Sequence, residues 1–224
     1  MTVQEFIEFI ESAEMLDDTL WIGMPPSVMN VRKQLRGRIM RQERHPNWPV
    51  VEIGVGDAIA YCRWRSGLRK DGKIVRLPTS SDWQKVLKSR TLQFPWGKTE
   101  LRTGEESQIN WFGASLGHPS PVGAFPPHAS GLLDLFGNVW EWGLETRVTS
   151  RERRKRFVVI GFSFQMDLKR WDRKATLWTA PPSEFEILGH PSIGFRCLLT
   201  DYDVKISSVD FSRPQSLDSR SVRA

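Results

Sequence analysis

The chain has 224 residues, 39% of them hydrophobic and 26% charged, with a formal net charge of +6 and a pI near 9.6. That length supports one sizeable core or two small ones, and no apolar run approaches the roughly 18 residues that a membrane-spanning helix requires. Polar, acidic sequence follows Met1 instead of a basic and then apolar leader, so a cytoplasmic protein with no membrane partner is expected, and two cysteines exclude both a disulfide scaffold and a Cys-rich zinc site.

Thr2-x-x-Glu5 is a capping box, and Val3, Phe6, Ile7 and Ile10 recur at helical spacing, which predicts an amphipathic helix at the start. Residues 20–50 lack a clean period; Pro25-Pro26, Gly37, Pro46 and Pro49 divide them into loops and one basic helix. That stretch carries Arg32, Lys33, Arg36, Arg38, Arg41 and Arg44. Pro49–Ile53 reads as a short strand, and Asp57–Trp64 as a helix with Val55, Ala58, Ile59 and Cys62 facing inward. Thr79 and Asp82 form a second capping pair that opens a helix directing Trp83, Val86 and Leu87 to the core. From Phe94 to Pro127 the chain is irregular, rich in Gly and Pro, and held by aromatics such as Trp111, Phe112 and Phe125.

The stretch Gly131–Trp142 packs two tryptophans, a Gly-Asn pair and a glutamate into a dozen positions. Phe136-Gly137-Asn138 predicts a tight turn, because glycine and asparagine tolerate positive φ. Val139–Trp142 predicts a short strand that sends Trp140 to one face and Glu141 to the other. The oxygens of Asn138, the Val139 carbonyl and Glu141 are a ligand set that suits a hard cation such as Ca²⁺; the alternative is a capped turn with core tryptophans. A basic run follows, with Arg151, Arg153 and Arg154, then the strand patterns Phe157–Phe164 and Ser192–Leu198, the latter with Ile193, Phe195 and Cys197 on one face. The long polar segment between them carries Trp171, Arg173, Trp178 and Phe185, and long loops on a rigid frame are where function concentrates. The two basic clusters can neutralise phosphates or serve as solvated faces.

The order of these motifs, from Thr2-Val3-Gln4-Glu5-Phe6 through Pro49-Val50-Val51, Arg76-Leu77-Pro78-Thr79, Phe94-Pro95-Trp96-Gly97, Pro121–Pro127 and Gly131–Trp142 to Ile193-Gly194-Phe195-Arg196, resembles the formylglycine-generating enzyme (sulfatase-modifying factor) family. The resemblance implies an α+β fold, a C-type lectin-like variant with short helices and strands and much irregular chain, over residues 1–200, followed by a polar tail, 201–224, that is disordered or binds a partner. It implies that Asn138, Val139 and Glu141 match a structural calcium position, whereas Asn110 matches a second position that lacks its completing acidic loop. It also implies that Cys62 and Cys197 are spatial neighbours.

Departures from the family pattern decide the functional expectation. Enzymes of the family hold copper through two cysteines that follow a Gly-Gly-Ser segment. Here that segment is Gly161-Phe162-Ser163, and Met166 and Trp171 fall at the cysteine positions. Neither side chain supplies the thiolate that holds Cu(I), so no copper is expected. The four histidines, His45, His118, His128 and His190, lack the i, i+4 spacing of a helical metal pair. The expectation is a non-catalytic binding protein, a subunit of a complex with a protein partner, with Trp171, Arg173, Trp178 and Phe185 as anchors on the segment that retroelement variable proteins use for ligands. A helix starting at residue 2, where family members place a strand hairpin first, also suggests an edge that a partner covers. Competing readings are a metal-dependent oxidoreductase with an atypical site, a retroelement variable protein, and nucleic-acid contact through Arg32–Arg44 and Arg151–Arg156.

Overall fold

The computed structural model describes residues 1–88, 109–128, 130–148, 153–167, 178–179, 181 and 183–203. Its helices are α1 (Val3–Glu11), α2 (Pro26–Met40), α3 (Val55–Gly67), α4 (Ser80–Lys88) and α5 (Ser183–Leu188). Its strands are β1 (Ile74–Arg76), β2 (Trp140–Val148), β3 (Arg153–Ile160), β4 (Trp178–Thr179), β5 (Ile193–Gly194) and β6 (Leu198–Thr200). The class is α+β, as expected, with long irregular connections.

Local chemistry accounts for the helices. Thr2 Oγ1 accepts from the Glu5 N–H at 3.3 Å while the Glu5 carboxylate accepts from the Thr2 N–H at 2.8 Å, which satisfies amide donors that a helix start leaves open. Val3, Phe6, Ile7, Phe9 and Ile10 are buried, and Phe6 stacks on Tyr61 of α3 with ring centroids 5.4 Å apart. Residues 26–40 form the one basic helix, with proline at its first turn, where a fixed φ and a missing N–H cost nothing. The first eight residues of α3, Val55 to Cys62, are all buried, so this helix is central and has no solvent face there. Gly56 lets α2 close on it, since a Cβ there would meet Val28 Cγ1 at 2.6 Å. At α4, Thr79 and Asp82 cap each other as the spacing predicts, and the Arg76 guanidinium joins them, donating to the Asp82 carboxylate at 2.8 Å.

The larger sheet has the order β4-β3-β2-β5, with β2 antiparallel to β3 and parallel to β5; β1 and β6 make a separate antiparallel pair. Near its base the β2–β3 hairpin is buried on both faces. Trp142, Leu144, Phe157 and Val159 belong to a first core shared with α1, α2 and α3, while Val158 and Ile160 belong to a second with Trp83, Trp111, Phe136 and Phe162.

Five sequence expectations change. Pro49–Ile53 is extended but joins no ladder beyond a single bridge to Thr2: proline lacks an N–H, Glu52 takes φ 55°, and the Gln42 carboxamide occupies both the N–H and the C=O of Val51 at 3.2 and 2.9 Å. The strand from Phe157 stops at Ile160, because Gly161 adopts φ +86°. Ser192–Leu198 divides into β5 and β6, which lie in different sheets. Phe112 is exposed, whereas its neighbour Trp111 is buried. The strand predicted over Val139–Trp142 runs on to Val148.

Candidate functional site

Gly137 and Asn138 both hold positive φ, 79° and 62°, so the predicted turn is real. A Cβ on Gly137 would sit 2.5 Å from the Asn110 carbonyl oxygen, so only glycine permits this approach. The Asn138 N–H donates to that same carbonyl at 2.8 Å. Its side chain then repeats a backbone pairing with Ser120: Oδ1 accepts from the Ser120 N–H at 2.9 Å and Nδ2 donates to the Ser120 C=O at 3.1 Å. Asn110 Nδ2 donates to the His118 carbonyl at 3.0 Å, and the Phe164 N–H donates to the Asn138 carbonyl at 2.9 Å. Asn138 and Asn110, both buried, thus tie together the chain at 110, 118–120, 138 and 164. Asn110 Oδ1 is buried with no hydrogen-bond donor among the described residues.

On the neighbouring strand Glu141 is held by Arg196, whose Nε and Nη2 donate to the two carboxylate oxygens at 2.5 and 2.7 Å. Nη2 also donates to the carbonyls of Leu133 and Asp134 at 3.2 and 2.9 Å, and the guanidinium lies 5.4 Å from the Trp83 ring centroid. Burial works against the arginine's charge, yet Glu141 and then Asp134 offset it and hold its pKa above the usual range. Burial raises the Asp134 carboxyl, which accepts from the Gly123 N–H at 2.8 Å. A cleft of about 300 Å³ opens beside the pair, lined by Leu132, Leu133, Asp134, Glu141, Phe195 and Arg196 among others. The oxygens expected to hold calcium are therefore already engaged at Asn138 and Glu141. A dication there would have to draw Glu141 away from Arg196.

Residues 1–200 match the model of the sulfatase-modifying factor enzyme 1-like domain. The chain belongs to this family. A formylglycine-generating enzyme of Mycobacterium tuberculosis is 38% identical over 104 residues, covering 42% of this chain and 32% of the relative. The inactive C-alpha-formylglycine-generating enzyme 2 of Bos taurus is 38% identical over 104 residues, with the same shares, 42% and 32%. The chain thus spans about a third of the length of these curated relatives. Among solved structures, Treponema denticola variable protein 1 superposes with a TM-score of 0.52 at 18% identity, covering 70% of this chain and 72% of that one, a likeness of fold. The fold is the C-type lectin-like variant that sulfatase-modifying factor domains share.

Within this family frame the remaining sequence-predicted residues fall as follows. Met166 donates its N–H to the Ser163 carbonyl at 3.0 Å, accepts from the Phe112 N–H at 3.2 Å, and packs against the second core. Trp171, Arg173 and Arg151 lie outside the described residues, as does the tail from residue 204; Trp178 lies in β4, and Arg153 and Arg154 lie in β3. Phe185 is half-buried, packed on the first core with its ring 4.5 Å from that of His190. Cys62 and Cys197 are neighbours, as the family resemblance implied: both are free, with sulfurs 3.6 Å apart. Burial, followed by the hydrogen bond to Cys197, raises the Cys62 thiol, which makes it a poor nucleophile. No group of three or more His, Cys, Asp or Glu among the described residues could hold a metal ion. No helix among them is long and apolar enough to cross a membrane.

The basic helix is largely neutralised. Arg32 pairs with Asp18 at 2.7 Å, Arg38 with Asp57 at 3.1 Å, Arg41 with Glu52 at 3.4 Å and Arg36 with Glu11 at 4.0 Å, while Lys33 is exposed. Sequence reasoning did not assign Arg196 or Ser120 to the site. A signal existed for Arg196, because one cation and one carboxylate in two otherwise apolar strands call for each other.

Proposed function

We propose that this protein is a non-catalytic member of the sulfatase-modifying factor family, a binding or accessory subunit that contacts a protein partner. Met166 carries the reading. It stands where the family pattern calls for the first copper thiolate, and it offers a thioether folded against the second core. The only cysteines of the chain, Cys62 and Cys197, lie against each other at the first core instead. The copper site of the family pattern is built from two thiolates, and two thiols placed against each other elsewhere do not supply them. The chain is equally similar to a relative named as inactive and to a formylglycine-generating enzyme, so the reading rests on the residues at the copper positions.

The contact surface is proposed on the segment between β3 and β5, with Trp171, Arg173, Trp178 and Phe185 as anchors, in the cytoplasm. Calcium is proposed only as a structural ion at Asn138, Val139 and Glu141. The test loads the purified protein anaerobically with Cu(I), admits oxygen, and follows oxygen consumption and conversion of a cysteine-containing substrate peptide by mass spectrometry. No stoichiometric copper and no turnover are expected, together with a partner that co-purifies from the native host at a fixed ratio. Bound copper with aldehyde formation would install the oxidoreductase reading in its place.

A further inference from the structure

The small sheet is closed along one edge and open along the other. Its strands β1 and β6 pair Ile74 with Thr200, Val75 with Leu199 and Arg76 with Leu198. The Val75 N–H donates to Ser66 Oγ at 2.8 Å, and that hydroxyl also lies 3.1 Å from the Val75 carbonyl, so both backbone groups turn away from β6 and toward α3. In an antiparallel ladder the residue facing such a position turns its own groups the opposite way. The N–H and C=O of Leu199 therefore point off the far side of β6, and no described residue takes either of them. Nor does the chain fold back over that side. After Thr200 it bends, with the Tyr202 N–H donating to Thr200 Oγ1 at 3.4 Å, and the Tyr202 ring centroid comes to lie 4.9 Å from the Arg76 guanidinium at the end of β1.

This edge carries little protection. Facing residues share a side of the sheet, so Leu199 lies on the face of Val75, which packs on the first core, yet Leu199 itself is 46% exposed. The strand holds no charged residue and no proline, and its register runs through without a bulge, so shortness is the only device that blunts it. Just beyond stand Asp201 and Asp203, both exposed, and no cation pairs with Asp201 among the described residues. The geometry points to the β6 edge as the place where an extended segment of a protein partner adds as a third strand, with an apolar side chain against Leu199 and a lysine or arginine opposite Asp201. Strand addition of this kind draws affinity from main-chain hydrogen bonds and specificity from alternate side chains. A second copy of this chain is a poorer occupant. Two β6 strands paired through Leu199 would run out at the bend two residues on, short of the roughly 1,000 Å² that a specific interface buries. The inference rests on the reading that this protein contacts a protein partner, and it adds an element to the contact surface proposed between β3 and β5.

The probe is a fluorescent peptide of alternating valine and threonine with a lysine at each end, titrated with the full chain. Comparison peptides carry glutamate at the ends, or N-methyl groups on every backbone amide. Submillimolar binding of the lysine peptide is expected, with both comparison peptides about tenfold weaker or more, and with the Leu199 amide protected from hydrogen exchange only in the complex. Leu199→Pro removes the outward N–H where an edge strand tolerates proline, so it should fold with a melting temperature within a few degrees of the wild type and lose about tenfold or more in affinity. Asp201→Lys, at an exposed side chain, should reverse the preference and favour the glutamate peptide. The proposal is overturned if the lysine peptide does not bind, if the N-methylated peptide binds as well, if folded Leu199→Pro binds unchanged, or if the Leu199 amide stays unprotected in the complex. Dimerisation of the wild type that Leu199→Pro abolishes would replace the partner by a second copy. A host partner that co-purifies equally with wild type and Leu199→Pro overturns this edge and leaves the binding reading standing; peptide addition at Leu199 with no host partner does the reverse.

Discussion

The two cores of this protein sit on opposite faces of one hairpin and are closed by different means. The first is roofed by α1, α2 and α3, whose backbone groups satisfy themselves, and its enclosing surface is a mosaic of aromatic contacts such as Phe6 on Tyr61 and Tyr61 on Phe195. The second has α4 on one side and irregular chain on the other, where Asn110, Ser120 and Asn138 stand in for the missing ladder. Apolar area holds one region together; a few long-range hydrogen bonds hold the loops over the other. Substitutions should therefore act on the first through cavity volume and on the second through orphaned polar groups.

The largest effect is expected at Trp142, fully buried in the first core, whose Nε1–H donates to the Ile53 carbonyl at 3.0 Å. Trp142→Ala should cost about 4 kcal/mol by chemical denaturation, and Trp142→Phe about 1–2 kcal/mol, because the latter keeps most of the packing and strands only the carbonyl. If Trp142→Phe costs as much as Trp142→Ala, packing does not dominate on this face.

The same core contains its own polar fault. Asp57 is buried, caps α3 through the Gly54 N–H at 2.8 Å and meets Arg38 at 3.1 Å, while its Oδ1 has no donor among the described residues. Burial pushes its carboxyl up to about 6 from an ordinary 3.8, the Arg38 guanidinium only partly opposing the rise. Between those values the native state keeps a proton that the unfolded chain has released, so this group's contribution falls as pH rises through the window and is highest below it. Asp57→Asn should remove that dependence. The wild type minus variant stability should drop by on the order of 2–3 kcal/mol from pH 4 to pH 7. A difference that rises over the same range would mean that the Arg38 pairing outweighs desolvation.

How far the sequence reveals each region follows from the same contrast. Caps and periodicity are local, so α1 and α4 are legible from Thr2, Glu5, Thr79, Asp82 and the apolar positions between. The burial of α3 on all sides is not, because a helix without a solvent face shows no clean stripe. Pro49–Ile53 misleads because the Gln42 side chain, not a neighbouring strand, takes the Val51 backbone groups. At the site, Gly137 and Asn138 announce the turn by residue type, but Ser120 gives no sign that its N–H and C=O will be claimed by a residue 18 positions on. Asn138→Ala tests that claim: it leaves the Ser120 backbone unpaired and forces a Cβ residue to hold φ 62°, for about 2–3 kcal/mol in all. Asn138→Gly removes the strain but not the loss of pairing, so it should recover about 1 kcal/mol of this. Equal losses would show that the dihedral carries none of the cost.

The smallest effect separates the ion pair from the calcium position. Arg196 and Glu141 have side chains 21% and 9% exposed, so water screens them in part, and Arg196→Met should cost about 1–2 kcal/mol, less than a fully buried pair would. Glu141→Gln in the same background should add little, because the carboxylate has already lost its partner. Freed from the guanidinium, Glu141 can turn to a cation with Asn138 and the Val139 carbonyl. Millimolar calcium should then raise the melting temperature of Arg196→Met more than that of the wild type, through preferential binding to the native state, and Glu141→Gln should abolish the difference. An equal or larger shift in the wild type would show that Arg196 does not compete for this carboxylate, and that the cation and the guanidinium share it.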